Sequence, residues 1–124
     1  MVSNDYVELS VAEGILYVCY KKNESISLDA AKAIVALRLA FSNGSDFPLL
    51  IYGEGIKSMT KEARNYLSGP DAKKGVKASA IIVNSVLESV IVNFFVNVND
   101  RNKSFPVKIF HNKSKALLWL KKYR

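Results

Sequence analysis

From Ile15 onward the chain switches between two hydrophobic periods in strict succession, and that alternation restricts the fold more than any other feature. Ile15-Leu16-Tyr17-Val18-Cys19-Tyr20, Phe47-Pro48-Leu49-Leu50-Ile51-Tyr52, Val76 to Val83 with its core Ala80-Ile81-Ile82-Val83, and Val107-Lys108-Ile109-Phe110 are short, mostly apolar runs. Their β-branched and aromatic content, apolar on both sides, is what interior strands carry. Between them the apolar residues fall at helical spacing: Ala30, Ile34, Leu37 and Phe41; then Met59, Ala63, Tyr66 and Leu67; then Leu87, Val90, Ile91, Phe94, Phe95 and Val98; finally Ala116, Leu120 and Tyr123. A further strand, Tyr6 to Val11, alternates in front of Ile15. The order is β-β-α-β-α-β-α-β-α with short links, which predicts a mostly parallel five-stranded sheet with helices packed on it. At 124 residues, with no repeat or linker, this is one α/β domain over residues 1–124.

Local chemistry marks the boundaries. Ser27 is placed to cap the first helix, with Asp29 in the first turn, and Asn43-Gly44 stops it. Lys21 to Ile26 reads as a polar loop. Ser58 or Thr60 caps the second helix, which Ser68-Gly69-Pro70 ends, and Asp71 to Gly75 is a turn or a single helical turn. Ser85 with Glu88 three residues on is a capping box for the third helix. Asn112 or Ser114 caps the last.

Charge is unevenly distributed. Residues 1–60 hold 5 Lys and Arg against 7 Asp and Glu, whereas residues 61–124 hold 13 against 4, so the whole excess of the +7 chain lies in the second half. Such a field attracts nucleic acid, anionic lipid or acidic protein. The basic residues come singly or in pairs, so the nucleic-acid signal is weak. No basic-then-apolar leader opens the sequence, and polar residues interrupt the longest apolar region, Ala78 to Val98, so neither a secretory signal nor a transmembrane segment is expected. A cytoplasmic location is the default.

Candidate chemistry is sparse. One cysteine and one histidine exclude a disulfide framework and the common zinc clusters. Cys19 lies inside a strand with no base beside it and reads as a small core residue; His111 reads as a surface residue next to a helix cap. Gly53-Glu54-Gly55 follows a strand but lacks the third glycine of a dinucleotide loop and the Gly-Lys-Ser/Thr ending of a P-loop, so it reads as a turn. The carboxylates are scattered. The expectation is a protein that is not an enzyme and carries no cofactor or metal.

The ending Val107-Lys108-Ile109-Phe110 followed by Lys115-Ala116-Leu117-Leu118-Trp119-Leu120, together with the element order, resembles the SpoIIAA-like group of STAS domains (sulfate transporter and anti-sigma factor antagonist). The resemblance implies a four- or five-stranded, mostly parallel sheet with the first strand antiparallel at an edge; the sequence equally permits a plain hairpin between the first two strands. It also implies a bacterial regulatory setting. Classical members place Asp-Ser-Ser-Gly between the third strand and the second helix, where a partner kinase phosphorylates a serine. The corresponding stretch here, Tyr52 to Thr60, lacks that string but brings Ser58 and Thr60 to the same place.

The functional expectation is a non-catalytic STAS-like regulatory or interaction module, acting on another protein or on a second copy as a homodimer, through surfaces around residues 57–68 and 86–98. Ser58 and Thr60 are the candidate phosphorylation or partner switch. Val92 and Val96 fall opposite the main stripe of the third helix and are candidates for an exposed contact. The alternative is a small apolar or lipid ligand in a pocket near Phe94 and Phe95, which the likeness of STAS domains to the lipid-carrying CRAL-TRIO lobe implies.

Overall fold

A computed structural model describes residues 1–22, 24–83 and 105–124. The predicted helix from Ser85 to Val98, with its capping box and with Val92, Phe94, Phe95 and Val96, lies outside the described residues. Among the described residues the central sheet has six strands. They are β1 (Val2–Ser3), β2 (Val7–Ala12), β3 (Ile15–Tyr20), β5 (Phe47–Tyr52), β7 (Val76–Ile82) and β8 (Val107–Phe110), side by side in that order. From β3 to β8 every neighbour is parallel; β1–β2 and β2–β3 are antiparallel. The expected five strands are therefore β2, β3, β5, β7 and β8, and the two-residue β1 adds a sixth at the edge.

The open question about the first strands is answered by a hairpin. Ala12 pairs with Ile15 across a two-residue loop, and Glu13 and Gly14 both have positive φ, 52° and 79°. That is the loop geometry whose twist suits a tight antiparallel pair. Arg124 Nη1 donates to Glu13 O at 3.1 Å, tying the chain's last residue to this turn.

Helix α1 (Leu28–Ser42) begins as expected: Ser27 Oγ accepts from Ala30 N–H at 3.2 Å. It ends at Asn43, left-handed at φ 49°, whose N–H reaches the carbonyls of Leu39 and Ala40. Helices α2 (Lys61–Leu67) and α3 (Pro70–Lys73) follow β5, and α4 (Lys113–Leu120) follows β8 and runs into a 3-10 turn, Lys121–Tyr123. Asn112 is the cap of α4, accepting from Lys115 N–H at 3.1 Å.

Two hydrophobic layers sandwich the sheet. On one face Val7, Leu9, Leu16, Val18 and Leu49 pack against Ala30, Ala31 and Ile34 of α1 and Ala63 of α2. On the other, Ile15, Leu50, Ala78, Ala80 and Ile82 pack against Ala116 and Leu120 of α4.

One stretch departs from the sequence-based expectation. Lys21 to Ile26 is not wholly loop, and Ser58 does not open a helix. Instead β4 (Glu24–Ile26) and β6 (Ile56–Met59) form a separate two-stranded parallel sheet, with Ser25 opposite Ser58 and Ile26 opposite Met59. Its inward side chains are Ile26, Ile56 and Met59, each no more than 9% exposed. Burial of those three side chains outweighs the helix start that Ser58 and Met59 suggest.

Candidate functional site

The two hydroxyls singled out in the sequence stand close together and do different things. Thr60 is the cap of α2: its Oγ1 accepts from Ala63 N–H at 3.1 Å, and its own N–H donates to Ile26 O at 3.0 Å. Ser58 is exposed on β6 and donates across the small sheet to Ser25 Oγ at 3.1 Å. Arg64 Nη1 reaches back to Met59 O at 3.4 Å, joining the first turns of α2 to the end of β6.

Gly55 sets the position of this rim. A Cβ there would lie 2.3 Å from Lys21 O and 2.4 Å from Tyr20 O, so only glycine lets the loop after β5 pass so near the end of β3. The turn reading of Gly53-Glu54-Gly55 thus agrees with Ile56 N–H donating to Gly53 O at 3.1 Å. Beside the rim lies an open groove of about 520 Å³, between Leu28 and Lys32 of α1 and Glu62, Asn65 and Tyr66 of α2, with Pro70 also in its lining. The second helix and its approach, with Lys57, Ser58, Thr60, Lys61, Glu62 and Asn65 all exposed, present a polar surface around this groove.

A second, partly open pocket of about 80 Å³ lies away from these hydroxyls, between α1 and the sheet. Its walls include Val18, Ile34, Leu49 and Ile51, with Tyr20, Arg38 and Ser79 supplying polar groups. Arg38 is only 5% exposed. It donates through Nη1 to Lys74 O and through Nη2 to Ala72 O, both at 2.9 Å, so it joins α1 to the end of α3. A guanidinium has five N–H donors, so these two bonds leave three. Burial lowers the Arg38 pKa, with Tyr20 opposing the shift. Burial pushes the Tyr20 phenol up to about 12, with the Arg38 charge opposing. The phenol therefore stays neutral at physiological pH.

Cys19 is half-buried on the α4 side of the sheet rather than fully in the core. Desolvation raises its pKa first, Glu8 adds to the rise, and Lys113 opposes it. That is the reverse of what a nucleophilic thiolate needs. His111 Nδ1 lies 3.0 Å from Val83 O; a carbonyl can only accept, so the ring donates and links the end of β8 to the end of β7. Among the described residues no three His, Cys, Asp or Glu side chains are grouped to hold a metal ion. No helix among them is long and apolar enough to cross a membrane.

Sequence reasoning missed Arg38, although a signal existed. It lies four residues after Ile34, on the same stripe as Ala30, and that register turns it inward.

No curated protein matches the chain. Among solved structures it is similar to an uncharacterized protein of the DUF3478 family with a SpoIIAA-like fold, from Shewanella loihica PV-4. The two are 20% identical, the match covers 97% of this chain and 98% of that one, and the TM-score is 0.61. The likeness shows the fold: a SpoIIAA-like α/β domain, as the ending of the sequence suggested. The model of a family described as Domain of unknown function (DUF7793) matches residues 9–124, and the chain belongs to that family.

Proposed function

We propose that this domain is a non-catalytic regulatory or interaction module of the STAS type, working in the bacterial cytoplasm, with its partner surface on the rim formed by β6 and α2. The observation that carries this reading is the placement of Ser58 and Thr60. Both hydroxyls are exposed, Ser58 on β6 and Thr60 two residues on at the cap of α2, the helix that forms one wall of the open groove. A phosphate on Ser58 would add close to two negative charges to a surface that contains Lys57 and Lys61, and so would change which partner it fits. The test is affinity capture with the full chain, comparing wild type with Ser58→Asp and Asn65→Arg. Capture of a partner that both variants lose, while their circular dichroism is unchanged, supports the reading. Identical capture by all three proteins sinks it. Native mass spectrometry in the same preparations identifies the case in which the partner is a second copy.

The pocket of about 80 Å³ beside Arg38 favours a second reading, a very small anionic ligand of a few non-hydrogen atoms. Apolar walls with one buried guanidinium suit that chemistry. Native mass spectrometry of gently purified protein should then show an added mass that Arg38→Met abolishes. A bare 13.8 kDa chain from a metabolite-replete host would count against it.

A further inference from the structure

The last twenty residues, 105–124, contain Lys108, Lys113, Lys115, Lys121, Lys122 and Arg124 and no Asp or Glu. Helix α4 turns Ala116 and Leu120 into the sheet, both 0% exposed, and leaves Leu118 67% exposed on the outer side. Lys115 stands three residues before Leu118 on α4, the spacing of helical neighbours, and Lys121 and Lys122 follow in the 3-10 turn. All three are exposed. Leu118 is thus an exposed apolar side chain with exposed cations before and after it along the chain. A half-buried aromatic series packs against the core under α4: Phe110 and Trp119 have ring centroids 5.7 Å apart, and Trp119 and Tyr123 5.1 Å apart. Lys108 Nζ lies 5.5 Å from the Phe110 centroid, extending the positive field to the edge strand.

We propose that this face of α4 docks on an anionic lipid surface. The cations select for negative head groups, and Leu118 inserts between them. Trp119, half-buried on the flank of α4, has an apolar body and a polar tip that suit the depth where head groups meet acyl chains. Charge complementarity requires an anionic partner, and the shape of the patch selects among such partners. Leu118 stands out from a convex helix, so a rigid polyanion such as duplex DNA would set its phosphates against an apolar side chain. A bilayer surface deforms around it. The proposal concerns the sheet face opposite the β6–α2 rim and does not depend on the function proposed for that rim.

The test is co-sedimentation of the full chain with vesicles at about 0.1 M salt, where exposed charges are screened beyond roughly 10 Å. Vesicles of phosphatidylcholine alone are compared with vesicles containing roughly one-third phosphatidylserine. Each surface lysine contributes about fivefold in partitioning, the equivalent of about 1 kcal/mol. The double variant Lys121→Gln/Lys122→Gln should therefore bind the anionic vesicles about 25-fold more weakly. Leu118→Ser should weaken binding several-fold at unchanged charge, and Leu118→Trp should restore or strengthen it. These side chains are exposed, so circular dichroism of each variant should match wild type. Absence of wild-type binding to the anionic vesicles overturns the proposal. So does loss on the lysine changes with none on Leu118→Ser, since that describes a general polyanion surface. Equal retention of duplex DNA or polyglutamate, also insensitive to Leu118→Ser, overturns it in favour of a nucleic acid or an acidic protein.

Discussion

Replacing Gly55 by alanine should destabilise the domain far more than a single added methyl normally does. The new Cβ would stand 2.3 Å from Lys21 O, 2.4 Å from Tyr20 O and 2.7 Å from Lys21 C, where Cβ atoms essentially never come closer than 3.0 Å. The backbone must therefore open by about 0.7 Å. Neither side yields easily. Lys21 N–H is bonded to Tyr6 O at 2.9 Å, and the loop is held by Gly53 N–H to Ile82 O and Ile56 N–H to Gly53 O. Overpacking against main chain sits at the upper end of the usual range, about 3 kcal/mol. For a chain of this length the unfolding entropy near 60 °C is roughly 260 cal/mol/K, so the melting temperature should fall by about 10 °C. The control is Gly69→Ala, whose Cβ would meet its nearest atom, Tyr66 O, at 3.2 Å. That contact should cost less than about 1 kcal/mol, partly offset by the lower entropy of the unfolded alanine chain. Differential scanning calorimetry decides the matter. A Gly55→Ala protein melting within about 3 °C of wild type, or a Gly69→Ala protein falling as far, would refute the reasoning from backbone contact.

Arg38→Met should lose about 3 kcal/mol in urea unfolding, because the carbonyls of Ala72 and Lys74 lose their donor; Arg38→Lys should recover less than half, since one ammonium lacks the fork that spans both. Thr60→Ala should lose about 1 kcal/mol as a lost helix cap, whereas Ser58→Ala, away from any helix end, should change stability by less than about 0.5 kcal/mol in the same assay. Tyr20 has a raised folded-state pKa of about 12 against an ordinary 10.0, so its contribution is fully present below pH 10 and is lost as pH rises toward 12. Denaturation followed over that window should show a decline that Tyr20→Phe makes shallower; an unchanged slope would contradict the assignment.

Long buried elements were legible and short ones were not. The spans Ile15–Tyr20, Phe47–Tyr52 and Val107–Phe110 are visible to the residue, because continuous apolar runs between turn residues have few other interpretations. Helix α1 is visible from its ends, since Ser27 and Asn43-Gly44 state their roles in local chemistry. The pair β4–β6 is not visible. Three and four residues, with Ile26, Ile56 and Met59 buried, show no period, and their pairing depends on a contact across some thirty residues of chain. The same contact decides between Ser58 and Thr60. With Met59 held in the small sheet, the helix can begin only afterwards, so Thr60 takes the cap and Ser58 is left on the surface. Arg38 was hidden for a different reason: a charged residue in mid-helix suggests solvent, and only its register with Ile34 indicates burial.

The topology explains why the two proposed surfaces lie back to back. The connections β3–α1–β5 and β5–α2–α3–β7 both advance across the sheet in the same direction, and crossovers between parallel strands share one hand. Helices α1 and α2 must then cover the same face, as their shared packing on Leu16, Val18 and Leu49 shows. Helix α4 follows β8 and packs on the other side. Among the described residues it is the helix that covers the opposite face, over Leu50, Ala80 and Ile82. A domain resting on anionic lipid through Lys115, Leu118 and Lys122 would therefore turn Ser58 and the α1–α2 groove away from the bilayer. A partner could reach that groove while the domain remained docked, and a charge added at Ser58 would act on the partner without opposing the lysines on the other side.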